Sequence, residues 1–203
     1  MTALDERTAA LVRITAALAA RNETRLVAAL RAAIPHASGL EVEEALLQSY
    51  LFLGYPAALN ALASWRALGQ PASTDRSPEE RSGWPDRGAR VCESVYGGQY
   101  EGLRSNIRSL HPDMEEWMVH EGYGKVLGRA GLDLPTRELC IVSQLTVLDV
   151  PRQLYSHLRG ALNVGASPEA VDAALHLGLE YASADAGARA TATWTTLLGR
   201  REA

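Results

Sequence analysis

The sequence predicts an all-α fold on three observations. Apolar residues recur at spacings of three and four through most of the 203 residues. Period-2 runs of β-branched residues are almost absent. Prolines and glycines fall where helices begin and end. In chain order, Leu11, Ile14 and Leu18 mark a first helix, Leu26, Ala29, Leu30 and Ala33 a second, and Val42, Ala45, Leu46 and Ser49 a third. Residues 69–88 are polar and rich in turn formers, and are expected to cross the surface as an irregular linker. A connecting helix is expected within 88–128. Three more helices follow, marked by Leu139, Val142 and Leu145, by Leu154, Leu158, Ala161 and Leu162, and by Val171, Ala174, Leu175 and Gly178. Asp133 is placed to cap the helix carrying Pro135, and Asp149 the helix carrying Pro151. Ser167-Pro168-Glu169 joins a cap, a first-turn proline and an acid that the helix dipole favours. Gly165 ends the helix before it, where a left-handed residue is cheapest.

Composition narrows the partners. With 47% apolar and 22% charged residues the chain is an ordinary globular one. A net charge of -4 with no basic tract argues against nucleic acid. No apolar run approaches the roughly 18 residues of a membrane span. The acidic start, Met1 to Arg7, lacks the basic and apolar pattern of a secretory signal, so a cytoplasmic location is expected. Cys92 and Cys140 form neither a CxxC pair nor a zinc knuckle, and His36, His111, His120 and His176 show no ligand spacing. No metal is expected.

An internal repeat organises the chain. A shift of 128 lays Leu26–Ile34 over Leu154–Leu162 and sets Thr8 and Leu11 on Thr136 and Leu139. One inserted residue then brings Val42, Ala45 and Leu46 onto Val171, Ala174 and Leu175. Two three-helix copies over 6–66 and 133–198 are expected. They divide the chain into a first repeat at 1–68, a linker and connecting helix at 69–128, and a second repeat at 129–203. Chance superposition of alanine-rich amphipathic helices is the competing explanation.

The second copy and its lead-in carry a wider pattern: Gly122-Tyr-Gly-Lys-Val-Leu-Gly-Arg129, Gly131-Leu-Asp-Leu-Pro-Thr-Arg-Glu-Leu-Cys140, and His157-Leu-Arg-Gly-Ala-Leu-Asn-Val-Gly-Ala-Ser-Pro-Glu169. This resembles the carboxymuconolactone decarboxylase family, which includes the AhpD-type alkylhydroperoxidases. Val42–Ala58 of the first copy resembles the family's following helix more weakly. The resemblance implies an all-helical, oligomeric protein with one of two chemistries. Decarboxylase members remove CO2 from a lactone acid without a cofactor, and need mainly a group that delivers a proton. Hydroperoxidase members use a glutamate, a Cys-x-x-Cys pair and a histidine. Glu138 and His157 keep the hydroperoxidase spacing, but the two thiol positions hold Val150 and Gln153. Neither can replace a thiolate nucleophile, so dithiol peroxidase activity is disfavoured. Gln153 also stands where the decarboxylase pattern has a glutamate, which leaves the lactone substrate unassigned.

Glu138 and His157 are also brought together by helix geometry. In an antiparallel hairpin turning near Asp149-Val150 they would differ by about 6 Å along the axis, close enough for the side chains to meet. A carboxylate on one imidazole nitrogen fixes the tautomer and suits the ring to general acid–base work. The competing role is a core-edge histidine satisfied by a buried acid. Trp117 and Tyr123 are candidates to line a substrate pocket, or core aromatics. Arg129 is a candidate to bind a substrate carboxylate, or a solvated surface charge. Cys140 is a candidate redox residue, or a buried apolar thiol. In the first copy Ala10 and Ala29 replace Glu138 and His157, leaving that half as scaffold.

Taken together, the chain reads as a cofactor-free, decarboxylase-like enzyme acting by proton transfer on a small carboxylate or lactone. The alternatives are an alkylhydroperoxidase-type antioxidant and a non-catalytic oligomeric binding protein. Fused repeats would act as a pseudo-dimer, so a homo-oligomer of two or three chains is expected.

Overall fold

The computed structural model describes residues 3–73 and 81–201, and all its regular elements are helices. The first stretch holds α1 (Glu6–Ala19), α2 (Glu23–Ala33), α3 (Gly39–Gln48), a short α4 (Tyr50–Leu53) and α5 (Tyr55–Ala67). A connector follows: α6 (Trp84–Tyr96), α7 (Tyr100–Leu110) and α8 (Pro112–Trp117), which runs on as a π-helical segment, Met118–Leu127. The last stretch holds α9 (Leu134–Leu148), α10 (Pro151–Asn163), α11 (Pro168–Leu179) and α12 (Ala184–Arg201). Each expected three-helix unit therefore contains a further long helix, α5 or α12. Of the expected linker 69–88, residues 74–80 lie outside the described residues, and α6 already begins at Trp84.

Helix α9 is the centre of the molecule. It packs against α1, α10, α11 and α12, and every residue from Thr136 to Thr146 is buried. A helix enclosed on all sides must find partners for its polar side chains. Ser143 therefore shares a hydrogen bond with Thr15 of α1 at 3.1 Å and donates to the Val12 carbonyl. Arg137 enters a buried ionic cluster described below.

The caps explain most boundaries. Asp5 and Asp133 accept the amides of Thr8 and Thr136, and Ser167 accepts that of Ala170. Ser38 and Glu41 form a reciprocal capping box at α3. Gly165 has the expected positive φ, 103°. Asp149 departs from expectation. It closes α9 in the left-handed region (φ 58°), and Val150 precedes α10 instead. Pro151 takes the first helical position, which moves the cap to residue 150 and holds that residue out of the α region. The Asp149 carboxylate instead binds Arg189 of α12.

The connector lies on α10 through α6, which in turn crosses the π-helical segment at close range. Gly122 and Gly124 lie within that segment, not in a turn. A Cβ on Gly124 would collide with the Trp84 carbonyl, so only glycine permits this crossing. The crossing carries Tyr123 inward. Among the described residues no helix is long and apolar enough to cross a membrane.

Candidate functional site

Helices α9 and α10 form the expected antiparallel hairpin and bring Glu138 Oε2 to 2.8 Å from His157 Nδ1. Glu138 is wholly buried and the His157 side chain keeps 8% of its surface. An ionised carboxylate only accepts hydrogen bonds, so it sets the imidazole proton on Nδ1. Nε2 makes no hydrogen bond among the described residues. An approaching molecule meets the imidazole first, with its free nitrogen available. Glu138 Oε1 is buried without a hydrogen-bond partner among the described residues. A buried carboxylate oxygen left without a partner costs stability.

Three rings enclose the pair. Phe52, from α4, stands edge-on to the imidazole at 5.8 Å and 81°. Tyr96, at the end of α6, does so at 6.4 Å and 65°. The Tyr123 hydroxyl donates to that of Tyr96 at 3.2 Å. Burial pushes both phenols well above their ordinary range, so they act as neutral hydroxyls. Gly160, one turn beyond His157, completes the packing. A Cβ there would stand 2.6 Å from Val95 Cγ1 and 3.0 Å from Glu138 Oε2. The missing side chain lets α6 and the carboxylate approach α10 together.

The other candidates divide. Tyr123 is buried among these rings and belongs to the hydrophobic core. Trp117 ends α8 with 57% of its surface exposed, and the core does not cover it. Arg129 is drawn to Glu44, its Nε 2.8 Å from Oε1, and so is not presented to the pair. Glu44 is itself held by Arg137, a fully buried guanidinium that also donates to Gln48 and to the carbonyls of Leu132 and Arg129. Gln48 returns a hydrogen bond to the Arg137 carbonyl. Two residues of α3 thus grip the residue next to Glu138.

Sequence reasoning missed Phe52, Tyr96, Gly160 and the Glu44–Arg137 cluster. A small residue three positions after the histidine was the one local signal available. No group of three or more His, Cys, Asp or Glu able to hold a metal occurs among the described residues.

Cys92 and Cys140 are free and buried. Burial pushes both thiols up to about 12. At neutral pH the thiolate fraction is then on the order of one in 100,000, too small for nucleophilic turnover. The native protein should react with a thiol-specific chromogenic disulfide only after denaturation, and Cys140→Ser should leave peroxide consumption unchanged. Rapid native labelling at Cys140, with peroxide turnover lost in that variant, would show a redox residue.

The profile of the Carboxymuconolactone decarboxylase family matches residues 112–196, from α8 into α12. "Peroxisomal protein 2" of Schizosaccharomyces pombe is 31% identical over 144 residues, covering 69% of this chain and 68% of the relative. "Peroxisomal protein 2" of Saccharomyces cerevisiae is 30% identical over 106 residues, covering 52% of this chain and 38% of the relative. The profile match takes in α9 and α10 with the Glu138–His157 pair, and the fission-yeast similarity extends over two thirds of both chains. The chain belongs to the carboxymuconolactone decarboxylase family.

Proposed function

We propose that the protein is a cofactor-free enzyme in which His157, held by Glu138, moves a proton on a small carboxylate or lactone. The observation that carries this reading is the pair itself: a buried carboxylate on Nδ1, an imidazole whose Nε2 is free, and a wall of neutral rings. When a carboxylate departs as CO2, the breaking bond leaves its electron pair on carbon or in a conjugated carbonyl. That pair must take a proton. The imidazolium form of His157 delivers one from Nε2 and becomes a neutral ring that keeps its Nδ1 proton directed at Glu138, whose carboxylate offsets the ring's charge before the transfer. Phe52 and Tyr96 exclude water and fix the ring plane.

The direct test is CO2 release from carboxymuconolactone by the full chain, alongside peroxide consumption. Release without peroxide turnover supports the reading. Peroxide turnover alone would favour the alkylhydroperoxidase alternative, and inertness in both assays a binding protein.

The two stretches are proposed as tandem copies acting as a pseudo-dimer. Support comes from matched details at the offset of 128. Asp5 and Asp133 cap equivalent helices, and Arg21 and Asp149 share a left-handed turn. Thr15 and Ser143 meet where α1 crosses α9. A homo-oligomer of two or three chains is supported by Leu110, Met114 and Trp117, exposed along α7 and α8. Sedimentation at micromolar concentration should give a dimer or trimer mass, and a monomer would refute it. The relatives' shared name supports a peroxisomal setting in place of the cytoplasmic one expected from sequence alone.

A further inference from the structure

A cleft of about 680 Å3 is lined by residues of the first stretch, and neither Glu138 nor His157 is among them. Its floor is apolar, with Leu18, Leu26 and Leu53 among its residues, and its polar edge includes Arg21, Asn60 and Ser64. The size is that of a small-molecule site.

Arg21 is the unusual member. Its φ of 54° lies in the left-handed region, where glycine, asparagine and aspartate are easiest. An arginine there is strained by its backbone. Among the described residues its guanidinium has no hydrogen bond or ion pair, and the side chains of Asn60 and Ser64 have none either. Glu23, at the same edge, adds a carboxylate without an ion-pair partner among the described residues.

The second stretch shows what this position looks like when satisfied. Asp149, 128 residues after Arg21, has the same left-handed turn (φ 58°). Its carboxylate receives two hydrogen bonds from Arg189, the residue 129 after Asn60. There a carboxylate of the chain meets a guanidinium of the chain. In the first stretch the corresponding residues are Arg21 and Asn60, a guanidinium and an amide that both have N–H groups to offer an anion, and neither supplies a carboxylate.

We propose that this cleft binds a small organic carboxylate with an apolar body. The carboxylate sits between the Arg21 guanidinium and the Asn60 amide, and the body lies on the leucine floor. Glu23 at the rim disfavours dianions, so a monoacid is the fitting class.

The probe is decanoate, titrated calorimetrically into the full chain, with decanol as its neutral counterpart. Arg21→Asn removes the cation while suiting the backbone, so it should fold at least as well as the parent. It is expected to weaken decanoate at least tenfold and leave decanol unchanged. Ala57→Trp, filling the cleft, should abolish both. His157→Gln should bind decanoate as the parent does, which separates this site from the Glu138–His157 reading. Several results would overturn the proposal. These are no binding to the parent, equal affinity in Arg21→Asn, decanol binding as tightly as decanoate, or loss of binding in His157→Gln. A change of sedimentation mass in Arg21→Asn would do so too, since it would show that a second copy of the chain occupies the cleft.

Discussion

Glu44→Ala is expected to lower unfolding stability by about 3–5 kcal/mol, the usual cost of stripping one partner from a buried ion pair. Arg137 has no exposed surface and Glu44 almost none. Burial alone pulls the guanidinium's affinity for its proton down, and the Glu44 carboxylate offsets that pull. Arginine does not shed its proton at accessible pH, so the variant would carry an unpaired charge inside the molecule. Arg129 would lose its partner as well. The cluster ties α3 to α9 next to Glu138, so the loss should also loosen the site. Urea titrations of Glu44→Ala, Arg137→Met and the double variant measure this. The double variant should recover part of the loss, because it leaves no unpaired guanidinium in the interior, although alanine at 44 leaves a gap that still costs stability. Single variants within about 0.5 kcal/mol of the parent would mean that water reaches the cluster.

Helix positions were legible because packing repeats every 3.6 residues, and the residues marking α1, α2 and α3 and α9, α10 and α11 are buried where that period put them, apart from the half-buried Leu162. The Glu138–His157 contact was legible for a similar reason: both residues belong to one hairpin, and helical rise fixes their register. Long-range partners carried no such mark. Nothing in the sequence around Glu44 singles it out, and it is the fold that brings Arg137 to it. Arg129, read as a substrate-carboxylate binder or a solvated surface charge, is instead held by Glu44, a partner 85 residues away that local sequence does not mark. Phe52 and Tyr96 reach His157 from separate helices with no periodic relation to it. Trp117 misled in the other direction, since a large aromatic suggests core and this one is exposed. The cap at Asp149 failed by one residue because Pro151 dictated the helix start.

His157→Gln and Glu138→Gln should each reduce turnover by about 100- to 10,000-fold, the range for a positioned general acid or base. Glutamine keeps similar volume and some hydrogen-bonding capacity at both positions, so packing is not the main variable. The two losses should not add, because Glu138 acts through the histidine's tautomer and charge. A merely structural pair would behave differently. Breaking one buried hydrogen bond costs stability of about 1–3 kcal/mol and leaves chemistry elsewhere untouched. Glu138→Gln has a particular signature. It replaces a carboxylate whose Oε1 has no partner, so the stability change should be small or even favourable while turnover falls.

The most direct measurement is therefore paired: the rate of CO2 release from carboxymuconolactone and the urea midpoint, for the parent, His157→Gln and Glu138→Gln in the same buffer. The account predicts a loss of at least 100-fold in rate for each variant, with midpoints close to the parent's. Rates equal to the parent's, together with clearly lowered midpoints, would contradict it and assign the pair to the scaffold.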